Sequence, residues 1–375
     1  MSGTGLHPAL ERADALYDLR RYDEAKAVLG QLLAEDPEEA SAWVRLSRCH
    51  LLVEGETAQA LETAERALAI NPQHTGALIQ HAKALQASSR LVDAEHPLRE
   101  VIRLVPDYWY GYALLAHWLY RIRILRFGQA NGGVVTEEAL ASFLRESDEL
   151  ALTAVRLAPE EVFPYEVRWA IARMSDDHAL AAEMDQIILR LDPQHPQALA
   201  RRTQQAAAAP GVKAAEAAAL YADALAAAPD SAPLQQGLDD ASYRLLRGVR
   251  WIALLSLCLA GTMLDLWTKD GVAPRDLPVP LGQRLWYFVP VGVLWAVGAL
   301  LRYRRLRMGV RYNLRSLMHR RRWPRIVLGQ ASWAVLCALV ISQVPWEERA
   351  VPRIVFWVGL VPTVATIWFD RKKTT

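Results

Sequence analysis

The stretch SAWVRLSRCH (residues 41–50), followed by AQALETAERALAINP (58–72), decides how the first two thirds of the chain are read. Trp43, Leu46 and Ser47 recur at helical spacing, and Ala60, Ala64 and Ala67 form a small-residue face on a second helix that closes on Pro72. Small residues let the two helices of a hairpin approach closely, while large residues three and four apart fill the seam to the next hairpin. The arrangement repeats on both sides. Upstream it reads Tyr22-Asp-Glu-Ala25, Leu29, Leu32 and Pro37; downstream it reads Leu78, Ala82, Leu85, then Ala94, Leu98, Ile102 and Pro106. Six prolines (Pro37, Pro72, Pro106, Pro159, Pro193 and Pro229) stand 35, 34, 53, 34 and 36 residues apart. A period near 34 is that of stacked helix hairpins. Each proline is expected to cap the entry of the following helix, since its fixed φ suits a first helical turn and it has no N–H to leave unpaired.

These residues resemble the tetratricopeptide repeat (TPR) family, whose units carry a large aromatic, a Leu-small pair, an aromatic, two small residues and a closing proline. Units two and three follow the pattern well. The first has Arg12-Ala13 where Leu-small is usual, the fourth begins with Tyr112, Leu115 and Ala116, and the fifth and sixth are degenerate, with Trp169 at a small-residue position. The resemblance covers about residues 6–235 and implies an all-α, TPR-like superhelix of about six hairpins over residues 1–235, with a flexible glycine-rich insertion near 127–135. Thr136 reads as an N-cap with Glu137 and Glu138 in the first turn. The resemblance also implies a concave groove for an extended peptide or partner helix. Mapped onto this chain, its lining is Ser41, Val44, Arg48, Ile79, Lys83, Tyr110, His117, Tyr120 and Arg121. Four of these are basic or can become so, which points to an acidic peptide or a C-terminal carboxylate. The competing reading is an ordinary solvated helix face. The asparagine pattern of chaperone-tail binders is missing.

Charge divides the chain sharply. Residues 1–240 hold 22 Lys+Arg against 35 Asp+Glu, a net of −13; residues 241–375 hold 21 against 6, a net of +15. The excess of arginine over lysine, 37 to 6, and the abundance of alanine suggest a GC-rich bacterial source. Cys49, Cys258 and Cys337 are widely spaced, without metal-ligand spacing or a disulfide framework, and read as small packing residues. The N-terminus shows no basic patch, apolar run or cleavage site, so it is not expected to be a secretory signal.

After a linker read as helical (236–250), four apolar runs occupy residues 251–267, 285–301, 326–344 and 351–369, a four-helix transmembrane bundle within a membrane domain of 251–375. Each is near the short end of what crosses a hydrocarbon core of ~30 Å. Trp251, Trp267, Trp286, Tyr303, Trp323, Trp346 and Trp368 lie at or near the span ends, where amphipathic rings favour the interface. The arginines orient the spans. Arg244, Arg247 and Arg250 precede the first, ten arginines fill residues 302–325, and Arg371, Lys372 and Lys373 close the chain; the other two connections are poor in positive charge. An even number of spans places all three rich segments on the cytoplasmic side, and with them the repeats and the C-terminus. Within the loop, Leu306, Val310, Leu314, Leu317 and Met318 recur at helical spacing between arginines. A basic amphipathic helix on the inner membrane surface follows, with Arg304, Arg305, Arg307, Arg311, Arg315, Arg320, Arg321 and Arg322 toward anionic lipid. That surface, not nucleic acid, is the expected counterpart of these charges.

Asp265 and Arg353 are the intramembrane charges, both near the outer ends of their spans; Gln330 and Gln343 can bond neighbouring helices, and Pro290 and Pro362 can kink theirs. No HExxH, G-x-S-x-G or nucleotide-binding loop occurs, and the histidines follow the hairpins and not a site. No catalytic residue, metal or cofactor is expected. The function implied is a bacterial inner-membrane adaptor that binds a cytoplasmic protein or peptide; the alternative is a transport or channel component with a regulatory repeat domain.

Overall fold

A computed structural model describes residues 7–267, 276–320 and 322–374. Among these residues the secondary structure is helical throughout, and the chain divides by internal packing into two compact units, before and after the Pro193/Gln194 junction. The expected boundary near residue 235 thus lies one hairpin further along than the junction.

The first unit holds five hairpins: α1 (Pro8–Asp18) with α2 (Tyr22–Glu35), α3 (Ala40–His50) with α4 (Thr57–Ile70), α5 (Thr75–Ala87) with α6 (Glu95–Leu104), α7 (Trp109–Ala130) with α8 (Glu137–Leu157), and α9 (Val162–Met174) with α10 (His178–Leu191). The small-residue faces do what their spacing implies: Ala25, Ala42, Ala60, Ala64, Ala67 and Ala82 are fully buried. Leu78, Leu85, Leu98, Leu115, Leu119 and Ile122 form the main core beside them. Ser47, at a small-residue position, donates its hydroxyl to the Ala60 carbonyl at 2.7 Å, which locks α3 to α4.

The recurring prolines stand outside the helices whose entry they are expected to cap. Glu39 N–H bonds to Asp36 O, His74 to Asn71, Tyr108 to Val105, Glu161 to Ala158 and Ser231 to Ala228. Each is a four-residue turn with proline second, where its fixed φ fits, while helix entry is left to other side chains. His74 Nδ1 accepts from Ala77 N at 3.2 Å, and Asp177 Oδ1 from Leu180 N at 2.9 Å. Thr136 caps α8 as expected, accepting from Ala139 N at 3.3 Å, with Glu137 and Glu138 in the first turn.

The turn inside each hairpin also repeats. Arg20, Gly55, Ser89, Asp176 and Gly211 all have positive φ (59°, 85°, 60°, 52° and 88°). Only two of the five are glycine, so this second period does not show in the sequence. The insertion is in part helical. Gly128, Gln129 and Ala130 continue α7, which reaches 22 residues, and α8 has 21; the long interval between Pro106 and Pro159 is taken up by two longer helices joined by a short turn at Gly132 and Gly133. Phe127 meets Phe143 across this extended pair at 5.8 Å between ring centroids.

The second unit opens with α11 (Pro196–Ala208) and α12 (Ala214–Ala227), the sixth hairpin, and continues into α13 (Ala232–Met263). The expected linker and first apolar run are therefore parts of one continuous helix. Next come α14 (Leu281–Trp286), α15 (Phe288–Trp295), a π-helical turn (Ala296–Leu300) and α16 (Leu301–Arg305). The break between α14 and α15 falls at Tyr287, within the four residues before Pro290, whose ring and missing N–H disrupt the ladder. The unit ends with α17 (Met308–Arg320), α18 (Arg322–Gln343) and α19 (Ala350–Thr374), the last with Pro362 in its interior.

Four helices here are long and apolar enough to cross a membrane: Ala232–Met263, Leu281–Arg305, Arg322–Gln343 and Ala350–Asp370. Only 6% of the apolar window of the second is buried. Of the large apolar and aromatic side chains exposed among the described residues, 27 lie at or after Trp251 and eight before it. Both amides bond neighbouring helices as anticipated: Thr366 Oγ1 donates to Gln330 Oε1 at 2.5 Å, and Gln343 Nε2 to the Arg284 carbonyl at 2.9 Å.

A left-handed conformation costs a side-chain-bearing residue about 1–2 kcal/mol, which glycine avoids. Ser89→Gly is therefore expected to stabilise the repeat helices by about 1 kcal/mol, and Gly55→Ala to destabilise them by a similar amount. Urea titration of the purified full-length protein, followed by far-ultraviolet circular dichroism, measures both; unchanged midpoints would contradict the left-handed turn.

Candidate peptide-binding face

The first helices of three hairpins, α3, α5 and α7, carry the expected lining, and the structure sorts it into two groups. One is committed to the fold. Arg48 donates to Asp14 Oδ1 at 2.6 Å, and its guanidinium lies 3.9 Å from the centroid of the Tyr17 ring. Asp14 also accepts from Arg45 Nε at 2.9 Å. Arg48 thus fastens α3 to α1, and its charge is neutralised within the protein. Ile79 is 5% exposed and belongs to the main core, so it is not a surface contact. Val44 sits against the start of α5, its Cγ1 3.4 Å from where a side chain on Gly76 would begin. Ser41 is half-buried; its N–H donates to Glu39 Oε1 at 3.0 Å and its carbonyl accepts from Arg45 at 3.2 Å. Tyr120 packs beside Ala116 and Leu144.

The other group converges. Lys83 Nζ stands 5.1 Å from the centroid of the Tyr110 ring. Tyr110 meets Phe163 at 5.7 Å, and Phe163 meets His117 at 6.0 Å. Arg121 follows one turn along α7, exposed and with no ion pair among the described residues. Three helices, α5, α7 and α9, therefore present one continuous row: Lys83, Tyr110, Phe163, His117, Arg121. Burial pushes the His117 imidazole below its ordinary pKa, and the Arg121 charge adds to the effect, so His117 favours its neutral form. Lys83 likewise has no carboxylate partner among the described residues. The row combines flat apolar rings with two uncompensated cations, a surface suited to an extended chain bearing carboxylates.

Phe163 is not among the expected residues, although a positional signal for it exists. It stands four residues after Pro159, as Tyr110 stands four after Pro106, and both are the second residue of their helix. The neighbouring helix α6 opens with a buried acid. Glu95, 6% exposed in its side chain, receives Arg126 at 2.5 Å, Arg99 at 2.8 Å and Arg123 at 3.5 Å. Arg123 also binds Glu146 at 2.9 Å. These contacts join α6, α7 and α8 and hold the row's central helix in place.

In the second unit the arginine-rich loop is α17 and its flanks. Its apolar stripe does not face outward: Val310, Leu314 and Leu317 are buried against Ala217, Leu238, Ala241 and Leu246 of α12 and α13. Asn313 Nδ2 donates to Ser242 Oγ at 3.2 Å, and Arg307 pairs with Asp223 of α12. The reading of α17 as a helix with its apolar face in the membrane surface is corrected accordingly, because protein already covers that face. Arg311 lies 5.6 Å from the Tyr303 ring centroid, and Arg320 donates to Ser316 Oγ at 2.8 Å. Arg304, Arg305, Arg315 and Arg322 are exposed, whereas Arg321 lies outside the described residues.

A charge cluster that sequence reasoning missed joins the middle of α13 to the start of α18 and the last part of α19. Asp370, 4% exposed, accepts from Arg250 at 2.5 Å, from the Tyr243 hydroxyl at 2.9 Å and from Trp323 Nε1 at 2.9 Å. Arg250, 1% exposed, also donates to the Thr366 carbonyl at 3.1 Å.

Among the described residues no group of three His, Cys, Asp or Glu side chains could hold a metal ion. Comparison with curated proteins gives no match. Among solved structures, the chain is similar to YrrB, a TPR protein with an unusual peptide-binding site, at 14% identity and a TM-score of 0.37, over 53% of this chain and 92% of that one. It is similar to MamA from Desulfovibrio magneticus RS-1 at 18% identity and a TM-score of 0.36, over 51% and 99%. A thermophilic TPR protein of Thermus thermophilus, TTC0263, gives 21% identity and a TM-score of 0.31, over 62% and 96%. Residues 10–75, which contain the body of α1 and the whole of α2–α4, match the family model of the tetratricopeptide repeat.

Proposed function

We propose that this protein is a membrane-anchored adaptor, which captures an acidic extended segment of a cytoplasmic protein on the α5–α7–α9 face of its repeat unit. The observation that carries this reading is the row from Lys83 to Arg121, with rings in tilted contact between two cations that have no carboxylate partner among the described residues. Backbone and aromatic contacts supply affinity for an extended chain, and the cations select for acidic side chains or a terminal carboxylate. Anchoring rests on the four long apolar helices and on the concentration of exposed apolar side chains after Trp251. The arginines of residues 302–325 and those before α13's apolar half favour the cytoplasmic face of a bacterial inner membrane, with both chain ends inside. Holding the binding face at a surface raises its effective concentration toward partners at the same membrane. The work is that of a scaffold, without chemistry of its own.

Reversing both free cations (Lys83→Glu with Arg121→Glu) is expected to weaken binding of a fluorescent Asp/Glu-rich peptide to the full-length protein by at least tenfold, as measured by anisotropy. Arg48→Glu, by contrast, should lower thermal stability, because it breaks the tie to Asp14. Equal affinity in the double variant would contradict the binding face. A bound carboxylate also favours the protonated form of His117, whose charge burial otherwise suppresses. Peptide affinity is therefore expected to rise as pH falls from about 7.5 to about 5.5, and His117→Gln should flatten that dependence.

A further inference from the structure

The second unit contains a cavity of roughly 1120 Å³ that the adaptor reading does not use. Its walls come from the start of α12, α13, α15, the π-helical turn, α16, α17 and α18. Ile252, Trp295, Leu306, Leu314, Met318 and Leu328 make an apolar interior. Lys213, Arg244, Arg302 and Arg305 also line it. All four cations are exposed, and none forms an ion pair among the described residues; the nearby carboxylate Asp223 is taken by Arg307.

Small residues keep the space open. Gly248, Gly292, Ala296, Gly298 and Ala299 all face it, and the backbone at Gly298 comes so close to α13 that an added Cβ would stand 2.8 Å from Ile252 Cδ1. The π-helical turn lies along the same wall, a distortion that recurs where helices bind ligands. An apolar chamber alone could take any hydrocarbon. A chamber of this volume beside four positive charges without ion-pair partners among the described residues suits an occupant with an anionic head and a long apolar tail.

We propose that this cavity is a site for one anionic phospholipid, with its acyl chain between α13 and α15 and its phosphate among Lys213, Arg244, Arg302 and Arg305. The inference rests on the reading that these helices cross a membrane. The basic loop then acts at two levels: α17 secures α12 and α13 with its apolar stripe, and the arginines just before it hold a single lipid.

The test uses the full-length protein equilibrated in micelles containing equal amounts of phosphatidylglycerol and phosphatidylcholine, with retained lipid counted by native mass spectrometry. The expected result is one retained phosphatidylglycerol per chain and little phosphatidylcholine. The combination Arg244→Gln, Arg302→Gln and Arg305→Gln should lose that lipid at least tenfold, and Ala299→Trp, which fills the chamber and leaves the charges, should lose it as well. Equal retention of both lipids, unchanged retention in either variant, or displacement by glycerol phosphate alone would overturn the site. Carbonate extraction of membranes from the cells that express each protein separates the premises: wild type and variants should all stay in the pellet, whereas release of the wild-type protein would overturn the membrane reading itself.

Discussion

Apolar surface that protein does not cover sets the terms for the second half of this molecule. The helix Leu281–Arg305 has 6% of its apolar window buried, and side chains such as Trp286, Val293, Val297, Ile354, Val361 and Trp368 are all more than half exposed. Burial of apolar area is worth about 25 cal/mol per Å², so an aqueous exposure on this scale would outweigh the net stability of a typical domain. In the membrane setting proposed above, hydrocarbon removes that cost and leaves backbone satisfaction to the helices themselves. The proposed setting also accounts for the distribution of charge, with arginines gathered at the connections and few acids among the apolar helices.

Within such a medium a buried charge survives only with a partner, and the Asp370 cluster meets that condition. Arg250, Tyr243 and Trp323 converge on one carboxylate from α13 and α18, while Asp370 itself comes from α19. Removing a single member would strand the others without water, so the cluster is sensitive to its weakest part. Three helices are fixed at one level, near the segment where Arg244 and Arg302 line the adjoining cavity. In the repeat unit Glu95 plays a similar part, collecting three arginines from α6 and α7. Each unit thus uses one buried acid to hold basic helices in register.

Much of the fold was legible because it depends on spacing. The period of the prolines, the alanine faces, the Thr136 cap, the two bonded glutamines and the four apolar helices all follow from local patterns. What escaped depends on partners distant in sequence. Arg48 has the composition of a peptide contact, yet Asp14, one repeat earlier, neutralises it; residue type alone does not separate those cases. Ile79 occupies a groove position by register and is drawn into the core by its neighbours. The stripe of α17 has the spacing of a membrane-surface helix, and the same spacing serves equally well against α12 and α13. Asp370 carried no signal, since a lone acid at the end of a span resembles a solvated flank until Arg250 is found beside it. The left-handed turns at Arg20, Ser89 and Asp176 were hidden because glycine, their usual marker, is missing there.

The central claim is that hydrocarbon surrounds the last four long helices while cytosol bathes the repeats. Cysteine accessibility in bacterial spheroplasts tests it most directly, using the full chain with Cys49, Cys258 and Cys337 changed to serine and one cysteine restored, by Glu54→Cys on the repeat unit or by Glu347→Cys between α18 and α19. A membrane-impermeant maleimide should label position 347 in intact spheroplasts and position 54 only after lysis. Labelling of position 54 before lysis, or recovery of the protein in the soluble fraction, would contradict the account.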